Sequence, residues 1–154
     1  MAVYSMAFAT VHIGTTGAGS TLSEMEADTF VQIGEVQSIS ALTDTQNFSA
    51  FTGLSTGRTV QSKSSKAGDN IMITVGYDPD DAGQIDLRDA AAVTTQAAYN
   101  MKVVYNDPAA GNATTIFWRG KVGNEQYPGG SVEDMELVEH MITNDQGFIV
   151  DLRA

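Results

Sequence analysis

Five residues of one stretch have the types and spacing of a calcium loop. Asp78, Asp80, Gly83, Asp86 and Asp89 stand at positions 1, 3, 6, 9 and 12 of the pattern that offers carboxylate oxygens to a hard divalent cation. Three departures weigh against that chemistry. Position 5 is Ala82, which has no side-chain oxygen. Position 12 is Asp, shorter than the bidentate Glu. The residues before the pattern alternate as a strand, where the motif needs a helix. The same carboxylates have a plainer use. Asp78 precedes Pro79, and an Asp there can cap the free N–H groups of a helix that holds the proline in its first turn. Asp80 and Asp81 add negative charge where the helix dipole is positive. The stretch reads as a helix start, with Asp78 as its cap. No metal and no cofactor are expected.

Other reactive groups are sparse. There is no Cys, so disulfides and thiolate metal sites are excluded. The two histidines, His12 and His140, are far apart in the chain, and His140 is expected to be exposed or at an interface rather than a ligand or base. Gly14–Ser20 is glycine-rich, but no Lys follows it and the GxGxxG spacing is absent, so it is a poor phosphate loop. Asn47-Phe48-Ser49 and Asn112-Ala113-Thr114 fit the glycosylation sequon and read as chance without a secretion signal. No nucleophile, base and acid assemble into a set, and the chain reads as non-enzymatic.

The elements that would position these residues are mostly strands. The 154 residues suffice for one domain with a core, residues 1–154. The formal charge of −11 argues against a surface that grips phosphates, because such affinity comes largely from Lys and Arg. Gly, Thr, Ser and Val are frequent, which favours strands and turns. Met1–Gly14 is apolar but carries no positive charge, since the first basic residue is Arg58; it reads as mature sequence, an N-terminal arm or strand, with a loop to residue 28. No apolar run is long enough to span a bilayer, and no membrane partner is expected.

Ile71, Ile73, Val75 and Tyr77 alternate with Met72, Thr74 and Gly76 as one buried strand face. A short helix over about 78–93 follows, with an apolar stripe of Ala82, Ile85, Leu87, Ala90, Ala91 and Val93. Further strands are predicted at Val3–Ile13, Phe30–Ala41, Ala98–Tyr105, Thr114–Gly123, Asp134–Thr143 and Phe148–Leu152. Gly34 marks a bulge or close approach within Phe30–Ala41, and Asn106–Asn112 turns a hairpin. Ile116, Trp118 and Val122 point inward. In Asp134–Thr143, Met135, Leu137 and Met141 share one face; Asp134, Glu136, Val138 and His140 share the other. The fold class is mainly β: an antiparallel sandwich or barrel-like pair of sheets with one short flanking helix.

Residues 42–70 form a long inter-strand loop, and a connection this long is usually functional or disordered. Phe48, Phe51 and Leu54 suggest that it packs on something. Arg58, Lys63 and Lys66 are three of the eight basic residues. A basic loop on an acidic body points to self-association through these six residues; a solvated mobile loop is the plain alternative. The N-terminal segment, residues 1–20, is the second candidate for contacts between subunits.

The order of features resembles the major tail tube proteins of long-tailed bacteriophages, and more distantly the tubes of contractile tails and type VI secretion. The resemblance rests on Ile33-Gly34-Glu35-Val36-Gln37-Ser38-Ile39 as first core strand, on the long loop after it, on Asn70–Asp81, and on Lys121–Leu137 with its Pro-Gly-Gly loop and acidic lead-in to the next strand. It covers Thr29–Thr143. It implies a sandwich with one flanking helix and hexameric rings whose sheets join into a β-lined channel. The rings stack around a tape-measure protein, between terminator and distal tail proteins. It implies a place in the virion tail, assembly in the bacterial host cytoplasm, and passage of DNA through the bore without tight binding. A negative lumen suits that passage, with Glu35, Asp134, Glu136 and Glu139 as candidates to line it. The competing reading is a virion decoration or adhesion β-sandwich whose loop binds a host surface ligand.

Overall fold

Two glycines set the architecture, at the points where the chain leaves one sheet for the other. The computed structural model describes residue 3, residues 5–106 and residues 113–152. The ends of the chain, most of the Asn106–Asn112 turn and the Asn112 sequon position lie outside the described residues. In chain order the elements are β1 (Thr10–Ile13), α1 (Leu22–Ala27), β2 (Val31–Ile33), β3 (Val36–Ile39), β4 (Asp44–Thr52), β5 (Thr59–Gly68), β6 (Ile71–Gly76), α2 (Ala82–Ala90), β7 (Tyr99–Val104), β8 (Thr115–Gly120), β9 (Val122–Gln126), β10 (Leu137–Ile142) and β11 (Ile149–Asp151). Sheet I has the order β11-β8-β7-β1-β2 and sheet II the order β3-β6-β10-β9, while β4 and β5 pair only with each other. All pairings are antiparallel.

The strand expected over Phe30–Ala41 is two strands in different sheets, broken at Gly34-Glu35. Glu35 takes a left-handed φ of 57°, which turns the chain out of sheet I. Gly34 is the close approach: a Cβ there would meet Asp81 Oδ1 at 2.5 Å. The strand expected over Thr114–Gly123 is likewise β8 of sheet I and β9 of sheet II, broken at Gly120-Lys121. The predicted strand over residues 3–13 is reduced to β1. The one expected helix is joined by a second, α1, of one and a half turns, capped by Thr21 Oγ1 on Glu24 N–H.

The core lies between the sheets. Ile71, Ile73 and Val75 of β6 face Val11 and Ile13 of β1, Met101 and Val103 of β7, and Trp118 of β8, with Val138 and Ile142 of β10 beside them. α2 packs on β2, β1 and β9 and buries Leu87 and Ala90. Gly83 is needed for that approach, because a Cβ would stand 2.2 Å from the Gln32 carbonyl oxygen and 2.6 Å from Ile33 Cα.

The cap of α2 is Asp81, not Asp78 as expected. Its Oδ2 accepts from Gln84 N–H at 2.9 Å and from Gly34 N–H at 3.0 Å, so one carboxylate closes the helix and holds the sheet-changing bend. Gln84, buried, donates to the carbonyls of Gly34 and Gly76 and accepts from Asp78 N–H. The Asp78 carboxylate accepts instead from Asp80 N–H, at 3.0 Å. Three consecutive-looking candidates, Asp78, Asp80 and Asp81, are separated by Pro79, and the helix starts one residue past the last of them. Asp81→Ala is expected to cost about 2 kcal/mol, the upper end for a lost N-cap, because it also strands the Gly34 N–H. Asp78→Ala costs less, and urea melts of the two variants make the comparison.

A second polar cluster fixes the Gly14–Ser20 loop on its own body. Asn100, fully buried on β7, donates to Asp28 at 2.8 Å and to the Gly17 carbonyl, and accepts from Arg119 at 2.9 Å. Arg119 also donates to the Thr16 and Gly17 carbonyls. Burial raises the Asp28 pKa, but hydrogen bonds from Thr15, Asn100 and Thr29 outweigh it and the net shift is downward.

His140 is 2 % exposed and belongs to the core face of β10 with Val138 and Ile142, which corrects the expectation of an exposed or interface residue. The strand begins only at Leu137, so the acidic residues before it are not on its face. Burial lowers the His140 pKa, with Glu125 opposing the shift and Arg88 adding to it. His12, half-buried and bonded to Thr10, is pushed down to about 4 by burial and by Lys102. Both groups bind fewer protons folded than unfolded, so their stability contribution is present above about pH 6.5 and is lost as pH falls below that, through about 4 for His12. Ring-proton NMR should find His12 neutral at pH 5.5 and His140 titrating below the free value, and the melting temperature should fall between pH 7 and pH 5. Titration of either ring near the free value would contradict the assignment.

Candidate assembly surface

The region expected as a loop, residues 42–70, is a regular hairpin arm. β4 runs nine residues, roughly 30 Å at about 3.4 Å per residue. The arm lies almost wholly in water on both faces, so no period-2 pattern marks it in the sequence. Cross-strand partners define its faces. Phe48 opposes Lys63 and Gln46 opposes Lys66, which places Phe48 and the two lysines on one face. Phe51 opposes Val60 on the other. Leu54 and Arg58 stand at the tip, where Gly53 N–H donates to the Arg58 carbonyl and Gly57 takes a φ of 62°. The six candidates therefore split into two faces and a tip. Phe51 is 72 % exposed and Leu54 completely so. Lys66 pairs with Asp44 at 3.5 Å near the root; Arg58 and Lys63 are exposed. A free two-stranded hairpin is marginal in water, and its open edges and bare aromatic rings invite a partner chain.

The four acidic candidates fall into two places. Ile71, Ile73 and Val75 of β6 and Val138, His140 and Ile142 of β10 face the core, so Met72, Thr74, Gly76, Leu137, Glu139 and Met141 face away from it on the outside of sheet II. Of these six positions only Glu139 is charged; Gln126 of β9 stands opposite it. Glu35 and Glu136 instead sit at the end of the sheet, where their carbonyls accept from Gly76 and Tyr77 N–H. Asp134 closes the loop before β10 by accepting from Ser131 N–H at 2.7 Å. Among the described residues, the outer strands of sheet II, β3 and β9, each have one edge unpaired. Beside β3 the mouth of the sandwich opens as an apolar groove lined by Met6, Val11, Val36, Ile39 and Val103.

No chemistry-bearing cluster competes with these surfaces. Among the described residues no group of three or more His, Asp or Glu stands where it could share a metal ion. The sequence assigns no contact role to Tyr127 and Val132, exposed apolar side chains on the Gln126–Glu136 loop. Met135, expected on a strand face with Leu137 and Met141, is exposed on the same loop because the strand begins at Leu137.

No protein-family model and no curated protein matches the chain. Solved structures do. A chain in the cryo-EM structure of the PVC sheath/tube terminator, part of an extracellular contractile injection system in its extended state, matches with a TM-score of 0.73 at 14 % identity, over 98 % of this chain and 98 % of that one. The SPP1 tail tube matches with a TM-score of 0.61 at 14 % identity, over 93 % of this chain and 76 % of that one. The fold is that of tail tube proteins. A chain in the extended PVC sheath-tube complex shares this tail-tube fold, with a TM-score of 0.68 at 13 % identity over 97 % of this chain and 93 % of its own. At identities this low the likeness is one of fold.

Proposed function

We propose that the protein is a structural tube subunit of a phage tail or a related injection particle. Its copies close into hexameric rings, and the rings stack into a hollow tube. The observation that supports this best is the bare arm, with Phe48, Phe51, Leu54 and Val60 exposed on a tail-tube fold whose sheet II also has two open edges. Edge-to-edge pairing of sheet II around a ring covers those edges and leaves its outer face toward the bore. The bore wall then presents Glu139 and no basic residue from β6 or β10. Glu35, Asp134 and Glu136 lie at the ring's face instead. The partners of such a tube are a tape-measure protein inside it and terminator and distal proteins at its ends. The role is architectural, not catalytic.

Negative-stain microscopy of the purified protein tests the reading. Rings or tubes are expected; monodisperse single domains would favour a decoration or adhesion domain. Assembled tubes are also expected not to retain duplex DNA at physiological salt, since the wall lacks cations to displace phosphate counterions. Tight, salt-sensitive retention would contradict the assignment of sheet II to the bore.

A further inference from the structure

The exposed apolar side chains of the arm have a counterpart at the opposite end of sheet II. β6 runs from Ile71 to Gly76, and β10 ends at the same two places, with Ile142 opposite Ile71 and Leu137 opposite Gly76. The arm leaves from the Ile71 end, where Asn144 donates to the Thr43 carbonyl and Gly68 packs against Asn144. At the Gly76 end, Tyr77, Tyr127, Pro128, Glu136 and Leu137 line a hollow of about 380 Å³. Its walls are braced. Tyr77 and Tyr127 meet edge to face at 6.2 Å, and Arg88 lies 5.6 Å from the Tyr77 ring centre. Glu125 accepts from the Tyr127 hydroxyl and pairs with Arg88 at 3.4 Å, so that cation is already engaged. Exposed Glu136 belongs to its lining, and exposed Glu35 stands beside Gly76 at the same end of the sheet, where its carbonyl accepts from Gly76 N–H. Exposed Val132 and Met135 lie on the loop between Pro128 and Glu136.

We propose that this hollow receives the arm tip of a copy in the next ring, with Leu54 and Phe51 entering between Tyr77 and Pro128 and Arg58 meeting the acidic rim. The inference rests on the tube reading and names the surface on which the arm docks. Three observations carry it. The tip is apolar and basic while the rim is apolar and acidic, so the charges match across the contact and repel between like ends. The two surfaces lie at opposite ends of a six-residue strand, roughly 20 Å apart at about 3.4 Å per residue, so docking joins copies head to tail. A head-to-tail contact of two different surfaces does not close on itself and propagates along an axis, as stacking requires. One end of the tube then displays arms and the other displays hollows.

The absence of Cys allows a direct test. Leu54→Cys/Pro128→Cys is assembled into tubes and treated with a short bismaleimide. Denaturing gels should show a ladder that continues past the hexamer, because each link joins a ring to the next; neither single variant gives one. Ser55→Cys/Val132→Cys, at fully solvated positions, repeats the test if the first pair perturbs folding. Tubes without a ladder overturn the docking assignment and leave the tube reading standing. A ladder that stops at the hexamer places the contact within a ring and also overturns it. A wild-type protein that forms neither rings nor tubes overturns the tube reading itself.

Discussion

A chain in which Thr45–Lys66 is replaced by a short Gly-Ser linker folds and does not polymerise. The expectation follows from where the arm joins the body. Asp44 and Gly68 are Cα partners, so the cut ends, Asp44 and Ala67, already lie side by side and a short linker spans them. None of the core residues lies on the arm, since the buried side chains come from β1, β2, β6, β7, β8, β9, β10 and α2. The deletion removes one ion pair, Lys66 with Asp44, and an exposed pair of that kind is worth only about 0–1 kcal/mol. Folding is therefore kept, while the exposed Phe48, Phe51, Leu54 and Val60 that would be covered by neighbours are gone. Circular dichroism and a cooperative melt should match those of the parent, and sedimentation should show a single small species. If that variant still makes tubes of normal length and diameter, the arm is dispensable.

The second large effect is on folding itself. Gly120→Ala should cost more than about 3 kcal/mol, beyond the usual range for overpacking. A Cβ at position 120 would lie 1.7 Å from the Thr143 carbonyl oxygen and 2.6 Å from its carbon. Thr143 has no room to yield. Its N–H donates to the Lys121 carbonyl, its hydroxyl accepts from Lys121 N–H, and Asp145 N–H beside it donates to the Arg119 carbonyl. Domains of this kind are stable by only about 5–15 kcal/mol, so such a cost is a large share of the whole. Gly123→Ala is the matched control, because a Cβ there meets nothing within 4 Å. Urea melts should separate the two variants clearly; equal midpoints would mean that the β8–β9 corner is not the tight junction described.

The fold class was legible wherever one face of a strand is buried and the other is not. Ile71, Ile73 and Val75 alternate in the sequence and are buried in the structure, as are Met101 and Val103. The two sheet changes were not legible for a physical reason. Through Gly120 the apolar alternation of Ile116, Trp118 and Val122 continues, and at Gly34 the apolar residues Ile33, Val36 and Ile39 follow closely on, because the strands on either side of each bend face the same core. Only the backbone demand for glycine marks the break, and a bulge gives the same signal. The arm was hidden by the converse. With both faces in water it has no apolar period, and its Thr, Ser, Gln and Gly composition reads as a loop. Its six candidate contact residues were nonetheless visible as aromatic and basic side chains out of place on a polar segment.

Parity misled at β10. Counting back from His140 placed Asp134 and Glu136 on its face, and the acids made that face look solvated. The strand starts at Leu137, so those acids belong to a loop and His140 belongs with Val138 and Ile142. The hollow at Tyr77 and Tyr127 had no sequence signal, since it joins residues of two distant segments.

Helical reconstruction of assembled particles by cryo-EM tests the central claim most directly. The account predicts hexameric rings in which β3 of one subunit pairs with β9 of its neighbour, so that sheet II becomes a continuous wall with Glu139 toward the bore, and in which each arm crosses to another subunit. A tube whose bore is lined by sheet I, or particles in which the arm touches only its own chain, would contradict it.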